Sequence, residues 1–448
     1  MRTRRASSSR RSSSLQAFII SSILLVTTMV ALWQRHRTRR SKSEARHPDA
    51  APLPGTPPHV SIIVPMRNEA AHIDACMTSL CAQDYPDFEI MVIDDASNDE
   101  TPQRLTQWTR RDPRVRAHRI DRLPADWAGK THAMHTGVLL TWGEWILFTD
   151  ADTRHSPNAL RVMMGHALHN HTDLLSLLPN VMTLSGPAMP LLWPITAILL
   201  AHRVTPGEIR NPASSRAFGF GQYILLRREN YLANGGYDAP GMRTTAVDDL
   251  ALADHIKQAG GQIEVVNGRG LLKNQQWTTW KSARQGWVKS CYSEIIRDNL
   301  PLVALPGALA FFAYGLIPTG WLLYTLTSGK MRRLSALLAL TTVITQIETK
   351  RRVDRDYDLA AFWSLTAPLS WSICGVMLLD VTRLLLFRRQ ATWKGRRIPA
   401  QEQATRPGRK HNANIYLPLL CFKEMQGHEE KGSPGGSGVA EEGASERA

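Results

Sequence analysis

The sequence predicts an α/β domain flanked by apolar helices that cross a membrane. Between Val60 and about residue 270, short apolar runs alternate with amphipathic helical segments, as is typical of a parallel sheet covered by helices. Long apolar segments lie on either side of that region, at 15–33 and after residue 300. A third observation is a pair of acids, Asp150 and Asp152, directly after a buried run. Their position indicates where the domain would bind a ligand.

The charge of the chain points to an anionic partner. Its 448 residues carry a net charge of +15, which is typical of proteins that meet nucleic acid or an anionic membrane surface. The basic residues cluster near the apolar segments, so we expect a membrane partner and no nucleic acid. The five cysteines are scattered, and the spacing of Cys76 and Cys81 fits no zinc motif. Free thiols in a reducing compartment are therefore predicted.

Changes in composition divide the chain into seven segments. We expect a basic N-terminus at 1–14, a transmembrane anchor at 15–33, a linker at 34–58, the α/β domain at 59–275, an amphipathic interfacial helix at 276–299, two or three transmembrane segments within 300–387, and a basic and then disordered tail at 388–448. A cleaved signal peptide is the alternative for the anchor, but no small-residue cleavage site follows it. The apolar stretch 187–201 is interrupted by prolines, and we expect it to form a lipid-facing flap.

Polar side chains follow three of the predicted strands. The strands at 60–64, 88–93 and 145–148 are followed by Asn68 and Glu69, by Asp94 and Asp95, and by Asp150 and Asp152. Ligands of parallel sheets bind beyond the carboxyl ends of the strands. Carboxylates gathered at one rim repel each other unless a cation or a hydrogen-bond donor lies among them. A nucleotide suits such a rim, although capping of the next helix is the alternative role for Asp95.

The Asp150-Ala-Asp152 sequence predicts a divalent cation site. One residue between two acids lets both carboxylates reach one point, and Mg²⁺ binds through one or two carboxylates together with substrate phosphates. Two solvated turn acids are the alternative, because the motif alone is weak. Lys130 begins a predicted helix after Gly129, where an ammonium would add charge to amides that already favour anions. The glycine spacing of a P-loop is missing, and a solvated lysine is the alternative there.

Five segments together resemble the family 2 glycosyltransferases of GT-A fold, and the resemblance covers about residues 58–290. The segments are 60–69, 83–86, 89–95, 129–130 and 149–153. The resemblance implies a nucleotide-diphospho-sugar transferase domain in which Asp95 contacts the nucleotide, with Glu69 nearby. It further implies that Lys130 approaches the base or diphosphate, that Asp150 lies against ribose or phosphate, and that Asp152, with Asp150, binds Mg²⁺ or Mn²⁺.

Two later motifs extend the resemblance to the acceptor. The segment 219–228, which includes Gln222, resembles the acceptor-side segment of membrane-bound members of the family. The segment 246–253 resembles their Glu-Asp motif, with Asp248 in place of the glutamate, and implies that Asp249 is the general base. The alternative for Asp249 is an acid that interacts with the dipole at a helix N-terminus.

A tryptophan-rich helix is predicted just before the later membrane segments. Trp277, Trp280, Arg284 and Trp287 recur at helical spacing, which indicates a helix lying in the bilayer interface on the acceptor side. An ordinary packing face is the alternative. Processive polysaccharide synthases of the family carry a Gln-x-x-Arg-Trp motif here, and this chain does not. It looks more like the single-transfer enzymes associated with hopanoids and carotenoids.

The resemblance therefore implies an inverting, metal-dependent enzyme that moves one sugar from a UDP- or GDP-sugar to a lipid hydroxyl. A processive polysaccharide synthase and a non-catalytic membrane scaffold of the same fold are the alternatives. We expect a multi-pass protein of the inner cell membrane with its catalytic domain in the cytoplasm. Three C-terminal spans would leave the basic tail outside, against the positive-inside trend, and an even number would resolve that conflict.

Overall fold

A mixed β-sheet forms the centre of the domain between residues 60 and 274. The computed structural model describes residues 2–49, 51–178, 181–182, 188–245, 247–274, 279–297, 301–328, 333–387, 389–393 and 396–397. The described strands are β1 Val60–Met66, β2 Phe88–Asp94, β3 Val115–Arg119, β4 Trp145–Phe148, β5 Thr153–His155, β6 Leu174–Leu178, β7 Val181–Met182, β8 Ile224–Arg227, β9 Ile263–Asn267, β10 Leu272–Asn274, β11 Thr392–Trp393 and β12 Arg396–Arg397.

Helices cover this sheet and continue beyond it at both ends of the chain. The described α-helices are α1 Arg2–Glu44, α2 Ile73–Cys81, α3 Thr101–Arg111, α4 Gly129–Leu139, α5 Ala159–His169, α6 Ala188–Arg203, α7 Pro206–Arg210, α8 Arg228–Ala233, α9 Asp248–Gln258, α10 Trp280–Arg297, α11 Ala304–Ser328, α12 Arg333–Asp356 and α13 Ala367–Leu386. The predicted start of α4 at Gly129 is confirmed, and α9 ends just before Gly260, whose φ is +90°.

The main sheet has seven strands in the order β3-β2-β1-β4-β8-β6-β9. The first four are parallel, as predicted. β8 is antiparallel to both β4 and β6, so the parallel arrangement predicted from the first strands does not extend to β8. The reason is that a short apolar run in the sequence does not show whether its strand lies parallel or antiparallel to its neighbours. The direction of β8 is set by the path of the chain through α6 and α7, which precede it.

Successive residues of β1 face opposite layers of the core. Ile62 and Val64 belong to a buried cluster that includes residues of α2 and α5, whereas Ile63 belongs to one that includes residues of α4 and α9. All of these β1 side chains are fully buried, and β-branched residues suit such a central strand. The parallel register pairs Ile63 with Met91 of β2 and Phe148 of β4. The carboxyl ends of these strands therefore meet at one rim.

The long apolar helices lie outside this domain. Among the described residues, three helices are long and apolar enough to cross a membrane, namely Phe18–Glu44, Pro301–Ser328 and Ala361–Leu386. α12, which lies within the predicted membrane region 300–387, does not meet that criterion of composition. The predicted lipid-facing flap at 187–201 was wrong, because its described part is helix α6. Half of the side chains of α6 are buried, and it contacts α1, α10, α12 and α13.

α1 connects the membrane segments to the domain as one continuous helix. It runs to Glu44, well into the predicted linker at 34–58, because no proline or glycine interrupts it before that point. Arg37 makes two hydrogen bonds to the carboxylate of Glu208, at 3.1 and 3.2 Å. The carboxylate of Glu44 accepts hydrogen bonds from the hydroxyl of Thr205 and from the N–H of Gly207. The predicted tail at 388–448 and Trp277 lie largely or wholly outside the described residues.

Gly143 is expected to tolerate no side chain. A Cβ there would lie 2.6 Å from the backbone nitrogen of Ser61, whereas a Cβ at Gly55 would meet nothing within 4 Å. Gly143→Ala should therefore destabilise the domain by about 1–3 kcal/mol through overpacking. Thermal unfolding of the purified protein in detergent measures this, with Gly55→Ala as the matched control. Equal apparent Tm values for the two variants would contradict the packing described for β1.

Candidate active site

A lysine bridges two carboxylates at the rim of the sheet. Lys130, in the first turn of α4, places its Nζ 2.8 Å from Oδ1 of Asp150 and 3.0 Å from Oδ2 of Asp248. Asp150 follows β4 and Asp248 begins α9, so this ammonium joins three elements that are far apart in sequence. Burial alone would lower the pKa of Lys130, but attraction to Asp150, Asp248 and Asp249 outweighs it and raises the pKa well above its ordinary value. The lysine is therefore charged at neutral pH.

Asp249 lies beside this bridge and is held by backbone amides. Its Oδ2 accepts a hydrogen bond from the N–H of Gly221 at 3.0 Å, and its Oδ1 accepts one from the N–H of Leu250 at 2.8 Å. A Cβ at Gly221 would lie 3.2 Å from Nζ of Lys130 and 3.4 Å from Oδ2 of Asp249. The glycine thus lets the loop before β8 close over both groups.

The surroundings of Asp249 shift its affinity for a proton. Loss of solvation and the neighbouring Asp248 carboxylate raise its pKa to about 6, although Lys130 and the two amides act in the opposite direction. Asp150, Tyr237 and Lys289 are the other ionisable groups of the surrounding elements whose electrostatics are coupled to this cluster. A carboxylate with a pKa near 6 is ionised at neutral pH and accepts a proton more readily than an ordinary aspartate.

Asp152, the other predicted metal ligand, lies next to Asp150. The neighbouring Cys76 and His155 side chains are neutral. Burial raises the pKa of the Cys76 thiol, and the negative charges of Asp152, Glu69 and Asp150 raise it further. His155 sits below the turn, with its Nε2 3.0 Å from Oγ1 of Thr149, and burial lowers its pKa to about 3. His155 is therefore neutral and adds no charge at this end of β4.

These carboxylates fit a divalent cation in part. Asp150 and Asp152 are both half-buried oxygen donors, the kind that Mg²⁺ and Mn²⁺ prefer. Within the described part of the chain, however, no three His, Cys, Asp or Glu side chains are arranged to hold a metal ion. Phosphate oxygens of a bound ligand would have to complete the coordination of such an ion, as is usual for Mg²⁺.

The predicted nucleotide side of the rim is built around Asp95, which is 5% exposed. Its carbonyl oxygen accepts a hydrogen bond from Arg67 at 2.6 Å, and its charge acts on His132 of α4. The first N–H of α3 donates a hydrogen bond to Oδ1 of Asp99 at 3.0 Å, so Asp99 rather than Asp95 caps this amide. Glu69 is nearly buried at the start of the same rim.

The predicted acceptor-side residues fall in different environments. Gln222 is half-buried, and its carbonyl accepts a hydrogen bond from Thr149 at 2.7 Å. On α10, Trp280 is 46% exposed, Arg284 pairs with Asp380 of α13 at 2.7 Å, and Trp287 is buried with its indole N–H 3.2 Å from Thr196. A helix is present at Trp280–Arg297, and of its two tryptophans Trp287 packs against α6 whereas Trp280 is open to the surroundings.

Two residues near the cluster were not predicted as site residues. Lys289, two residues after Trp287 on α10, is coupled electrostatically to Asp248, Asp249 and Asp150, and burial lowers its pKa. Tyr237 is fully buried against Phe148, with ring centroids 5.8 Å apart, and the acids of the cluster add to the effect of burial in raising its pKa. Lys289 lies in the predicted interfacial helix at 276–299, but only the fold brings Lys289 and Tyr237 to the acids.

Comparisons with known proteins bear on the family and the fold. Residues 61–230 match the family model described as "Glycosyl transferase family 2". The chain is 24% identical over 237 residues to the 4,4'-diaponeurosporenoate glycosyltransferase of Staphylococcus aureus, covering 51% of this chain and 60% of that protein. It is 31% identical over 119 residues to the uncharacterized glycosyltransferase EpsJ of Bacillus subtilis, covering 26% of this chain and 33% of the relative.

A solved structure shares the fold. The mannosyltransferase PcManGT from Pyrobaculum calidifontis, determined in complex with GDP-Man and Mn²⁺, superposes with a TM-score of 0.54 at 18% identity. The match covers 83% of this chain and all of that one. The GT-A architecture of the sheet is therefore confirmed, together with long apolar helices at both ends of the chain. The chain spans about a third to three fifths of the length of the two sequence relatives.

Proposed function

The chain belongs to glycosyltransferase family 2, and we propose that it transfers one sugar from a nucleotide-diphospho-sugar to a lipid hydroxyl at a membrane surface. The observation that carries this proposal is the position of Asp249. It is an ionised carboxylate, fixed by two backbone amides, beside a bridging lysine at the rim where parallel sheets bind their ligands. Such a group is suited to accept a proton from an attacking hydroxyl.

The proposed reaction is a single displacement. The acceptor hydroxyl oxygen attacks C1 of the donor sugar, its proton passes to Asp249, and the bond from C1 to the diphosphate oxygen breaks. Attack opposite to the leaving group inverts the configuration at C1. Each Asp249 oxygen uses only one lone pair for its amide hydrogen bond, so one remains for the proton. The ammonium of Lys130 neutralises negative charge beside Asp249 and the donor diphosphate.

The donor is proposed to lie along the rim from Asp95 to Asp249. Buried Asp95 and Glu69 supply acceptors for the nucleoside, and Lys130 supplies positive charge to the diphosphate. Asp150 and Asp152 would hold a divalent cation, Mg²⁺ or Mn²⁺, which would stabilise the negative charge that develops on the leaving group. The relative of known fold that was solved with GDP-Man and Mn²⁺ supports such a donor and such a metal.

Two observations favour a lipid acceptor. Three helices of the described chain have the length and composition to cross a membrane, and α10 joins them to the domain. One sequence relative is named for glycosylating 4,4'-diaponeurosporenoate. We propose an inner-membrane protein whose catalytic domain is cytoplasmic, where nucleotide-sugars are made. Gln222, Asp248 and the α10 residues Trp280, Arg284 and Trp287 are proposed to border or support the acceptor side.

Transfer of label from donor to lipid tests the proposed function. Membranes that contain the protein would be incubated with radiolabelled UDP-glucose, UDP-N-acetylglucosamine or GDP-mannose and then extracted with organic solvent. Label in a lipid enlarged by one sugar supports single transfer. Label in a high-molecular-weight polymer would identify a processive synthase instead. Label in neither fraction, with Asp249→Asn indistinguishable from the native protein in cells, would indicate a scaffold.

Loss of the proposed base should slow transfer without weakening donor binding. Asp249→Asn keeps the size of the side chain and removes the proton acceptor, so the transfer rate should fall by about 10²–10⁴-fold. Asp248→Asn is the matched control, because the neighbouring carboxylate faces Lys130 instead, and it should cost less. Transfer rate and nucleotide-sugar affinity are the two measurements. The assignment fails if Asp248→Asn is the more damaging change, or if Asp249→Asn abolishes donor binding.

The pH dependence of transfer should report on the same carboxylate. Because Asp249 must be deprotonated and its pKa is about 6, kcat/KM should fall as the pH drops below about 6. Asp248→Asn removes a charge that raises this pKa, so its acid limb should move to lower pH. Lys130→Met removes a charge that lowers the pKa, so its limb should move to higher pH. Shifts in the same direction for both variants would contradict the proposed coupling.

Metal dependence should accompany donor binding. Chelation should abolish transfer, and added Mg²⁺ or Mn²⁺ should restore it, whereas Asp152→Asn should remove most activity and leave the apparent Tm unchanged. Because the described residues offer no complete metal site, Mn²⁺ should bind weakly to the free protein and more tightly with the nucleoside diphosphate. Electron paramagnetic resonance of Mn²⁺ measures that difference. Full activity of the dialysed enzyme in chelator would exclude a metal.

A further inference from the structure

The membrane helices can be placed in depth by their contacts with one another. By length and composition, α13 with the turn before it qualifies as a crossing segment and α12 does not. Composition takes no account of what each helix face contacts or of where its ends lie. The side-chain pairs between these helices supply that information.

α12 runs parallel to α1 and covers the same depth. Thr28 contacts Thr342 with hydroxyl oxygens 2.8 Å apart, and Arg35 pairs with Glu348 at 3.3 Å. Farther along, Lys42 pairs with Asp356 at 2.8 Å. The partner on α12 advances in step with the residue on α1, so the first half of α12 lies beside the apolar run of α1. Because α1 leads into the domain, the last turns of α12 lie on the domain side.

The faces of α12 are arranged as in a helix surrounded by lipid. Between residues 334 and 344 its exposed positions are apolar, whereas much of its buried face is polar. The exposed apolar residues are Leu334, Leu337, Leu340 and Ile344, and the buried polar ones are Ser335, Thr342, Thr345, Gln346, Thr349, Lys350 and Asp354. Polar groups inside a membrane face the bundle interior and pair with one another. Charged residues in the second half lower the mean hydropathy of α12, which is why composition alone does not select it.

α13 runs antiparallel to α11 and begins halfway along it. A Cβ at Gly315, near the middle of α11, would lie 2.5 Å from the carbonyl oxygen of Pro368 at the start of α13. A Cβ at Gly375 would lie 3.1 Å from the carbonyl oxygen of Ala308, close to the start of α11. α11 leaves the domain side, and Tyr314 near its middle donates a hydrogen bond to Gln34, just past the apolar run of α1, at 2.7 Å. α13 therefore descends from that level back toward the domain side.

Both ends of the α13 segment contact elements on the domain side. Before α13, Asp358 pairs with Arg269 of the catalytic domain at 3.3 Å. Near its end, Asp380 pairs with Arg284 of α10 at 2.7 Å. β11, which follows α13, also contacts α10. A helix whose two flanks lie on one side, and whose first turn reaches only the middle of its neighbour, does not traverse the bundle.

We propose that α1, α11 and α12 cross the membrane and that the segment 358–393 is re-entrant, with α13 embedded only in the leaflet next to the catalytic domain. The exposed Leu369, Val376 and Leu386 of α13 would contact the lipid of that leaflet. Two C-terminal crossings keep the chain after α13 on the catalytic side. The basic ends of α1 and α12 then lie on that side too.

This arrangement connects the near leaflet to the catalytic cluster. α13 holds α10 through the Asp380–Arg284 pair, and α10 carries Lys289 to the acids around Asp249. A lipid acceptor in the near leaflet would therefore approach the cluster along α10 without crossing the bilayer. This consequence rests on the proposed function, whereas the re-entrant path itself does not.

Single cysteines in the full chain test the path. Gln107→Cys marks the catalytic domain, Arg333→Cys the far side, Arg355→Cys the end of α12 and Arg389→Cys the chain after α13, all at exposed positions. Each would be placed in a background with Cys421→Ser and compared with that background, because the other native thiols are buried or partly buried. Labelling with a membrane-impermeant maleimide is measured in sealed right-side-out and inverted vesicles.

Residues 107, 355 and 389 are expected to label in the same vesicle orientation, and residue 333 in the opposite one. If α11 and α13 cross and α12 does not, residue 355 will label with residue 333. If all three helices cross, residue 389 will label with residue 333. Either result overturns the proposal, as does equal labelling of all four positions in both orientations. Transfer activity does not enter the readout, so failure here is distinct from failure of the proposed function.

Discussion

The catalytic rim depends on one ammonium group placed among three carboxylates. Lys130 lies within salt-bridge distance of Asp150 and Asp248, and its charge also acts on Asp249. At an effective dielectric constant of about 20, two unit charges 4 Å apart interact by about 4 kcal/mol, so the acids would repel each other strongly without it. The bridge thereby fixes the relative positions of α4, the end of β4 and the start of α9, which no local sequence feature connects.

The same balance of charge determines what the rim can bind. Three carboxylates and one bridging lysine leave the cluster negative, whereas a nucleotide diphosphate is itself negative. The second lysine, Lys289, arrives from α10, outside the sheet, and its charge offsets part of the excess. A divalent cation between Asp150, Asp152 and the diphosphate would offset the rest. Under the proposed function, the negative charge of the cluster thus favours binding of the donor together with a cation.

Much of the rim could be predicted from the sequence because it follows from strand ends. Buried runs closed by Asp95 and by Asp150-Ala-Asp152 give the position of the acids without knowledge of the packing. The direction of β8 could not be predicted, because a short apolar run has no direction. Lys289 could not be assigned either, since its role depends on how α10 docks. Trp280 and Trp287 share helical spacing, yet only contact with α6 buries the second of them.

The membrane helices show the limit of sequence-based prediction in a different way. Mean hydropathy averages over all faces of a helix. It is therefore low for α12, whose buried face is largely polar, and high for α13. The depth of each helix is instead determined by the side chains that it contacts. α12 is in register with α1 and so crosses the membrane. The ion pairs of Asp358 and Asp380 hold both ends of the α13 segment on the domain side. Because α13 does not cross the bilayer, its apolar surface instead anchors α10 in the near leaflet. The position of that leaflet relative to Asp249 then determines which end of a lipid can reach the proposed base, namely the headgroup end that faces the domain.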